Sequence, residues 1–184
     1  MARKDDSNLL VRITTALARI DDREAPKLPA AFAPDVKEFR SAVGPLVSAA
    51  EKAAEALVAR DEALEKVGDA DATLDVSLDD LADGVVGAKL GKRTSPFSGL
   101  SKYSPSALKN LAYKTEVDAV GLLLEALAKK NPPAAVKTIA AKVQKNAAAV
   151  QKLLDAVTGP EARYIKARTA RDALVPAASN EAGT

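Results

Sequence analysis

Apolar residues recur every three to four positions along most of the chain, and this spacing is what most limits the folds open to it. Leu9, Leu10, Ile13, Leu17 and Ile20 form the first such series, which places one apolar stripe along a helix. Hydrophobic residues make up 47 % of the chain, with alanine the most frequent of them, whereas aromatic residues make up 3 %. Alanine has the highest helix propensity, because it loses no side-chain entropy in a helix. The sequence therefore predicts an all-α protein with closely packed helices.

Proline and glycine divide this pattern into segments. Three prolines predict a loop over residues 21–34. Gly44-Pro45 predicts a kink or a short break in the second helix, and Gly159-Pro160 predicts a stop or a sharp turn, since proline removes a backbone donor and clashes with the preceding turn. The predicted helices cover residues 7–20, 35–67, 73–90, 106–130 and 133–158, with a further helical segment over 161–174.

Residues 69–80 have an ambiguous pattern. Apolar residues alternate there with Asp, Thr and Ser, which is typical of a strand. However, Leu74, Leu78, Leu81 and Val85 also have helical spacing, and aspartate is a poor strand former. We predict a helix whose acidic start suits the helix dipole.

The length of 184 residues is enough for one domain with a sizeable core. The prediction is a single-domain helical bundle over residues 1–174, with about five helices that run mainly antiparallel. The small, polar residues 175–184 are predicted to form a disordered tail.

Cysteine and histidine are both absent from the sequence. Disulfides, thiolate ligands and cysteine nucleophiles are therefore excluded, as is the commonest general base near neutral pH. The Glu-x-x-His pairs of di-iron bundles and His-ligated haem are excluded as well. The sequence predicts no catalytic residues, no cofactor and no metal site, and thus a protein that is not an enzyme.

One acidic segment resembles a calcium loop in spacing alone. Its oxygen-bearing residues occupy the first, third, fifth, seventh, ninth and twelfth places of such a loop, namely Asp69, Asp71, Thr73, Asp75, Ser77 and Asp80. However, Leu74 stands at the sixth place, where the sharp turn needs glycine, and Asp80 replaces the bidentate glutamate. An acidic helix start is the favoured interpretation.

Neither a secretory signal nor a membrane span is indicated by the sequence. The first 20 residues carry charges throughout, and the most apolar run, 117–128, is short and contains Asp118 and Glu125. We expect a cytoplasmic protein.

The charge is distributed unevenly. Residues 1–90 carry 12 basic and 18 acidic side chains, whereas residues 91–184 carry 15 and 7, so the net charges are −6 and +8. The fifth helix presents a lysine face opposite its apolar stripe, formed by Lys137, Lys142, Lys145 and Lys152. This face either pairs with the acidic helix of the same chain or binds a polyanion such as nucleic acid, an acidic protein or anionic lipid.

The longest predicted loop, residues 91–105, is the second candidate for partner binding. It holds two of the six aromatic residues beside three basic ones, a combination found at interface anchors. The candidate residues are Lys92, Arg93, Phe97, Lys102 and Tyr103. Alternatively, Phe97 and Leu100 fold back to cover the end of the bundle.

Three functions remain open from the sequence. The leading hypothesis is a non-enzymatic protein that acts through protein–protein contacts, as a scaffold, an adaptor or a self-assembling component. The second is binding of nucleic acid or another polyanion through the lysine face. The third is binding of an apolar ligand between helices.

Overall fold

The computed structural model describes residues 4–22 and 27–181, and within these ranges it is all-α, with five α-helices and no strand. The fold class is therefore as predicted. The helices are α1 (Lys4–Asp21), α2 (Ala33–Gly87), α3 (Pro105–Leu108), α4 (Tyr113–Lys129) and α5 (Ala134–Glu181), and a 3₁₀ turn, Ala30–Phe32, precedes α2. None of these helices is both long enough and apolar enough to cross a bilayer.

Two of the helices are much longer than the sequence predicts. The second and third predicted helices form one helix, α2, so the break expected after residue 67 is wrong and residues 69–80 are helical. Likewise α5 continues through Gly159-Pro160, where a stop or turn was expected, and through Pro176. The apolar series of each pair of segments stays in phase across these points, so burial on both sides favours one continuous helix.

Pro45 also lies inside α2, where it removes one backbone hydrogen bond without ending the helix. Val43 and Leu46, on either side of it, are 0 % and 1 % exposed. Burying side chains of this size gains about 1.5–3 kcal/mol each, against about 3 kcal/mol for a proline in a helix interior. The free energy gained by burying the two side chains together exceeds the cost of the proline.

The predicted fourth helix is instead divided. Residues 105–108 form the single turn α3, which Ser104 caps by accepting a hydrogen bond from the Ala107 backbone N–H at 3.2 Å. After residues 109–112, α4 begins at Tyr113. Leu108 is fully buried, so the short turn anchors the chain in the core before α4 begins.

The contacts divide the chain into two compact units. The single domain over residues 1–174 stays a prediction. Unit 1 contains residues 1–60 and 160–184, and unit 2 contains residues 61–159. Each unit has its own apolar core. The core of unit 2 is the larger and is built from α2, the loop after it, α4 and α5.

The core of unit 1 explains why the predicted tail is helical as far as Glu181. Ala178 is 1 % exposed and packs with Ile13, Val43 and Leu46, with Leu174 and Val175 beside it. This burial extends α5 beyond residue 174, although the local composition favours disorder. Residues 182–184 of the predicted tail, and residues 23–26 of the predicted loop, lie outside the described residues.

Candidate functional site

Unit 2 contains a cluster of three carboxylates, Asp71 and Asp75 on α2 and Glu116 on α4, which we call the acidic cluster. Asp71 and Asp75 are four residues apart, and this spacing places them one above the other on the same side of the helix. They border the stripe of α2 that buries Leu74 and Leu78. Both carboxylates are half-buried for this reason.

Glu116 is fully buried, with 0 % of its surface exposed. It lies in the first turn of α4, four residues before Val120 and seven before Leu123, both of which are 0 % exposed. These spacings place the glutamate on the apolar face of the helix. Packing of α4 into the core therefore carries the carboxylate inside with it.

The three carboxylates meet at short range. One oxygen of each lies within 4.8 Å of an oxygen of the other two. Oδ1 of Asp71, Oδ1 of Asp75 and both Oε atoms of Glu116 are buried and receive no hydrogen bond. Buried polar atoms are nearly always hydrogen-bonded, so four such oxygens in one place need a chemical explanation.

Burial and mutual repulsion change the acidity of these groups. Burial first, and then the negative charge of Asp71 and of Asp75, raises the pKa of Glu116 to about 8. Burial also raises the pKa of Asp71, and burial followed by repulsion from Asp71 raises that of Asp75. With no cation bound, the cluster therefore holds a proton on Glu116 at neutral pH.

Lys109 is the basic group whose charge acts on Asp75. Its ammonium nevertheless donates a hydrogen bond to Oδ2 of Asp79, at 2.5 Å. Tyr113, one turn before Glu116, packs its hydroxyl over Gly68 on α2. These contacts hold the start of α4 against α2, so the cluster is fixed on two helices.

Three carboxylates in this arrangement can share protons or bind a hard cation. The cluster is not a calcium loop, since Asp69 to Asp80 form regular turns of α2. The sequence does not predict the cluster, because Glu116 lies 41 positions after Asp75 and forms no sequence motif with it. A charged residue within the apolar stripe of a predicted helix was the only available indication.

The predicted loop candidates occupy different environments. Lys92, Arg93 and Lys102 are exposed, and Tyr103 is half-buried. The ammonium of Lys102 lies 4.9 Å from the centre of the neighbouring Tyr103 ring. Phe97 is 1 % exposed and belongs, with Leu100, to the core of unit 2. The two apolar residues thus cover the core, as in the alternative interpretation of this loop.

The lysine face is exposed, but two of its four lysines form contacts within the chain. Lys142 forms an ion pair with Asp80 of α2 at 2.9 Å. Lys137 donates a hydrogen bond to the Asn131 side chain at 3.1 Å. Within the described residues, Lys145 and Lys152 form no ion pair. The acidic and basic helices therefore pair inside unit 2 through Lys142, while Lys145 and Lys152 are exposed to solvent.

Unit 1 contains a groove of about 890 Å³ between α1 and the start of α2. Its walls are largely apolar, and two of the wall residues, Val11 and Leu28, are 63 % and 55 % exposed. Three basic residues, Arg12, Arg19 and Lys27, and one acidic residue, Asp22, also line it. Sequence analysis missed this groove because helical spacing does not show which apolar residues stay uncovered.

No protein-family model, no curated protein and no solved structure matches the chain. Its function is therefore inferred from its own residues.

Proposed function

We propose that this chain is a non-enzymatic, cytoplasmic protein that acts through protein–protein contacts, and that the groove of unit 1 is its contact surface. The observation that carries the proposal is the exposure of Val11 and Leu28 within one groove. Exposed apolar patches with polar rims are typical of protein interaction sites.

The charge of the groove indicates the kind of partner. Three basic residues, Arg12, Arg19 and Lys27, and one acidic residue, Asp22, line its apolar walls, so basic side chains outnumber acidic ones there. An amphipathic helix with acidic residues beside its apolar stripe complements both features, because the stripe fills the groove while the acids meet the basic groups. Such a helix belongs either to another protein or to a second copy of this chain.

A second copy offers one suitable surface on α2. Val76 is 60 % exposed, and the exposed Asp83 lies seven residues after it, whereas Asp80 already pairs with Lys142. Docking this surface in the groove of another copy joins two different surfaces, which gives rings or filaments. Self-association is thus the version of the proposal that can be tested without knowing a partner.

The test is light scattering on size-exclusion fractions, at low and at high salt, for the wild-type chain and for Val11→Glu. Val58→Glu is the matched control, since Val58 is 57 % exposed and does not line the groove. We expect a concentration-dependent oligomer that Val11→Glu disperses and Val58→Glu leaves intact. Oligomers that dissociate as salt rises would assign the contact to the charged surfaces.

A monomer at every concentration and at both salts contradicts self-association and leaves a separate protein as the partner. Binding of an environment-sensitive apolar dye then tests the groove itself. Dye fluorescence that Val11→Glu does not lower, relative to Val58→Glu, would overturn the groove as the contact surface.

Binding of nucleic acid or another polyanion is the second candidate, supported by the exposed Lys145 and Lys152. We expect their replacement by glutamine to weaken binding of a short single-stranded oligonucleotide, and binding to weaken steeply with salt, because phosphate contacts release counterions. Lys142→Gln is the internal comparison, since Lys142 already pairs with Asp80. Equal losses for all three lysines would indicate a diffuse charge effect.

An apolar small molecule is the third candidate occupant. The groove volume of about 890 Å³ falls in the range of about 300–1,000 Å³ that is usual for such sites. Mass spectrometry of an organic extract of the purified chain tests it, and an extract without any copurifying lipid would contradict it.

A further inference from the structure

The acidic cluster of unit 2 contains more negative charge than its surroundings compensate. Three carboxylates meet there, and four of their oxygens are buried without a hydrogen-bond donor. The nearby Lys109 is engaged by Asp79. The positive end of α4 adds only about half a charge. An unpaired buried carboxylate is costly, so either a proton on Glu116 or a cation between the three carboxylates is needed to stabilise the cluster.

The fully buried Glu116 is what separates this cluster from an ordinary acidic surface. Exposed aspartates such as Asp69 and Asp83 have water around them. Glu116 has no exposed surface and no donor for either oxygen, and the residues that its carboxylate faces are Asp71 and Asp75. A side chain of this kind is satisfied by a proton on one oxygen, or by a cation that also binds the two aspartates.

The spacing of the oxygens fits a cation. Two oxygens bound to the same Ca²⁺ ion are at most about 4.8 Å apart, since Ca–O distances are about 2.4 Å. The three carboxylates satisfy this limit for every pair. Calcium takes about six to eight oxygen ligands. Asp71 and Asp75 are half-buried, so water molecules can reach the ion and supply the remaining ligands.

We propose that Asp71, Asp75 and Glu116 form a binding site for a hard divalent cation, with Ca²⁺ preferred over Mg²⁺. Carboxylate oxygen is the ligand that hard cations select, whereas softer metals take imidazole or thiolate. Calcium is preferred because Mg²⁺ needs shorter, octahedral bonds and gives up its water reluctantly. A fully buried ligand such as Glu116 requires the ion to lose water on that side.

The experiment is calorimetric titration of the full chain with CaCl₂ after treatment with a chelator, together with thermal unfolding in CaCl₂. We expect one Ca²⁺ per chain, weaker binding of Mg²⁺, and an unfolding temperature that rises with Ca²⁺ concentration, because the ion binds the folded state. Glu116→Gln should weaken binding by about 10-fold or more, since Ca²⁺ affinity follows the number of charged ligands.

Two further variants make the result specific. Asp71→Asn removes a second ligand and should weaken binding to a similar extent. Asp83→Asn is the matched control, because it removes one charge from the same helix at an exposed position outside the cluster, and it should bind Ca²⁺ as the wild-type chain does. Circular dichroism checks that each variant folds, and Glu116→Gln is chosen because its amide can donate to Asp71 or Asp75.

Three outcomes would overturn the site. The first is no heat and no change in unfolding temperature at Ca²⁺ concentrations in the millimolar range, about the weakest affinity seen in protein calcium sites. The second is an equal loss of binding in Asp83→Asn, which would reflect a diffuse acidic surface. The third is unchanged binding in both folded ligand variants. Tighter binding of Mg²⁺ than of Ca²⁺ would overturn the assigned ion.

Discussion

Glu116 shows how one residue can differ from the role that its position in the sequence suggests. An acidic residue in the first turn of a helix ordinarily stays in solvent and interacts with the helix dipole. Here Glu116 is buried, since Val120 and Leu123 on the same face of α4 enter the core. The carboxyl then meets Asp71 and Asp75, and its pKa rises to about 8.

This raised pKa gives a definite dependence of stability on pH in metal-free protein. The unfolded chain releases the proton of Glu116 near its ordinary pKa of 4.5, whereas the folded chain keeps it to about pH 8. Between these values the folded state binds more protons, so the free energy of unfolding falls as pH rises. Asp71 and Asp75 act in the same direction because their pKa values are raised too, and the charge of Lys109 partly offsets the effect at Asp75.

Glu116→Gln cannot titrate at this position, so we expect it to lose most of this slope. Urea unfolding in the presence of a chelator, at several pH values from 4.5 to 8, gives the slope of the free energy of unfolding against pH. If the free energy of unfolding changes with pH equally in the wild-type chain and in Glu116→Gln, then Glu116 does not hold a proton in the folded state.

Two adjacent leucines of α4 give a direct test of burial. Leu123 is 0 % exposed and Leu122 is 67 % exposed. We expect Leu123→Ala to lower the free energy of unfolding by about 2–5 kcal/mol, because it removes buried surface and leaves a cavity. Leu122→Ala should change it by less than about 0.5 kcal/mol. Chemical denaturation of both variants measures the difference, and equal effects would contradict the assigned face of α4.

At the scale of the elements, the long helices show that local signals can be overruled by packing. Gly44-Pro45 and Gly159-Pro160 both have the composition of a helix end, yet α2 and α5 continue through them. Next to Pro160, Glu161 pairs with Arg60 at 2.7 Å, and the Arg60 guanidinium lies 5.3 Å from the centre of the Tyr164 ring. These contacts stabilise helical geometry immediately after the proline.

Replacing Pro45 should therefore stabilise the protein. Alanine restores the backbone donor inside α2, and we expect Pro45→Ala to raise the free energy of unfolding by about 1–3 kcal/mol. Pro34→Ala is the matched control, since Pro34 lies in the first turn of α2, where the N–H has no partner within the helix. Thermal denaturation compares the two. A lower stability for Pro45→Ala would mean that the packing of Val43 and Leu46 depends on a bend at the proline.

At the scale of the whole molecule, each core joins segments that are far apart in the sequence. Ala178 near the end of α5 packs with Ile13 of α1 and Leu46 of α2 in unit 1. In unit 2, α2 provides one side of the core and the loop after it, α4 and α5 provide the rest. The uneven charge of the chain is partly neutralised in unit 2 through the pair of Lys142 and Asp80.

The packing of the last turns of α5 predicts that the segment after Leu174 contributes to stability. A chain that ends at residue 174 should be less stable by about 1–2 kcal/mol, because it loses the burial of Ala178 and part of that of Val175. A chain that ends at residue 181 is the control and should match the full chain. Denaturation curves of the three chains check this, and equal stability of the shortest chain would show that the segment is disordered, as its composition predicts.

The sequence by itself determined that the protein is helical, which faces of the helices are apolar, and which metal-binding chemistries are excluded. These properties follow from local spacing and residue type. The continuity of α2 and α5, the division into two units and the groove of unit 1 were decided by tertiary structure, because each depends on which apolar surfaces cover one another. The acidic cluster is the clearest case: Asp71 and Asp75 share a helix face by spacing, but only packing brings Glu116 to them.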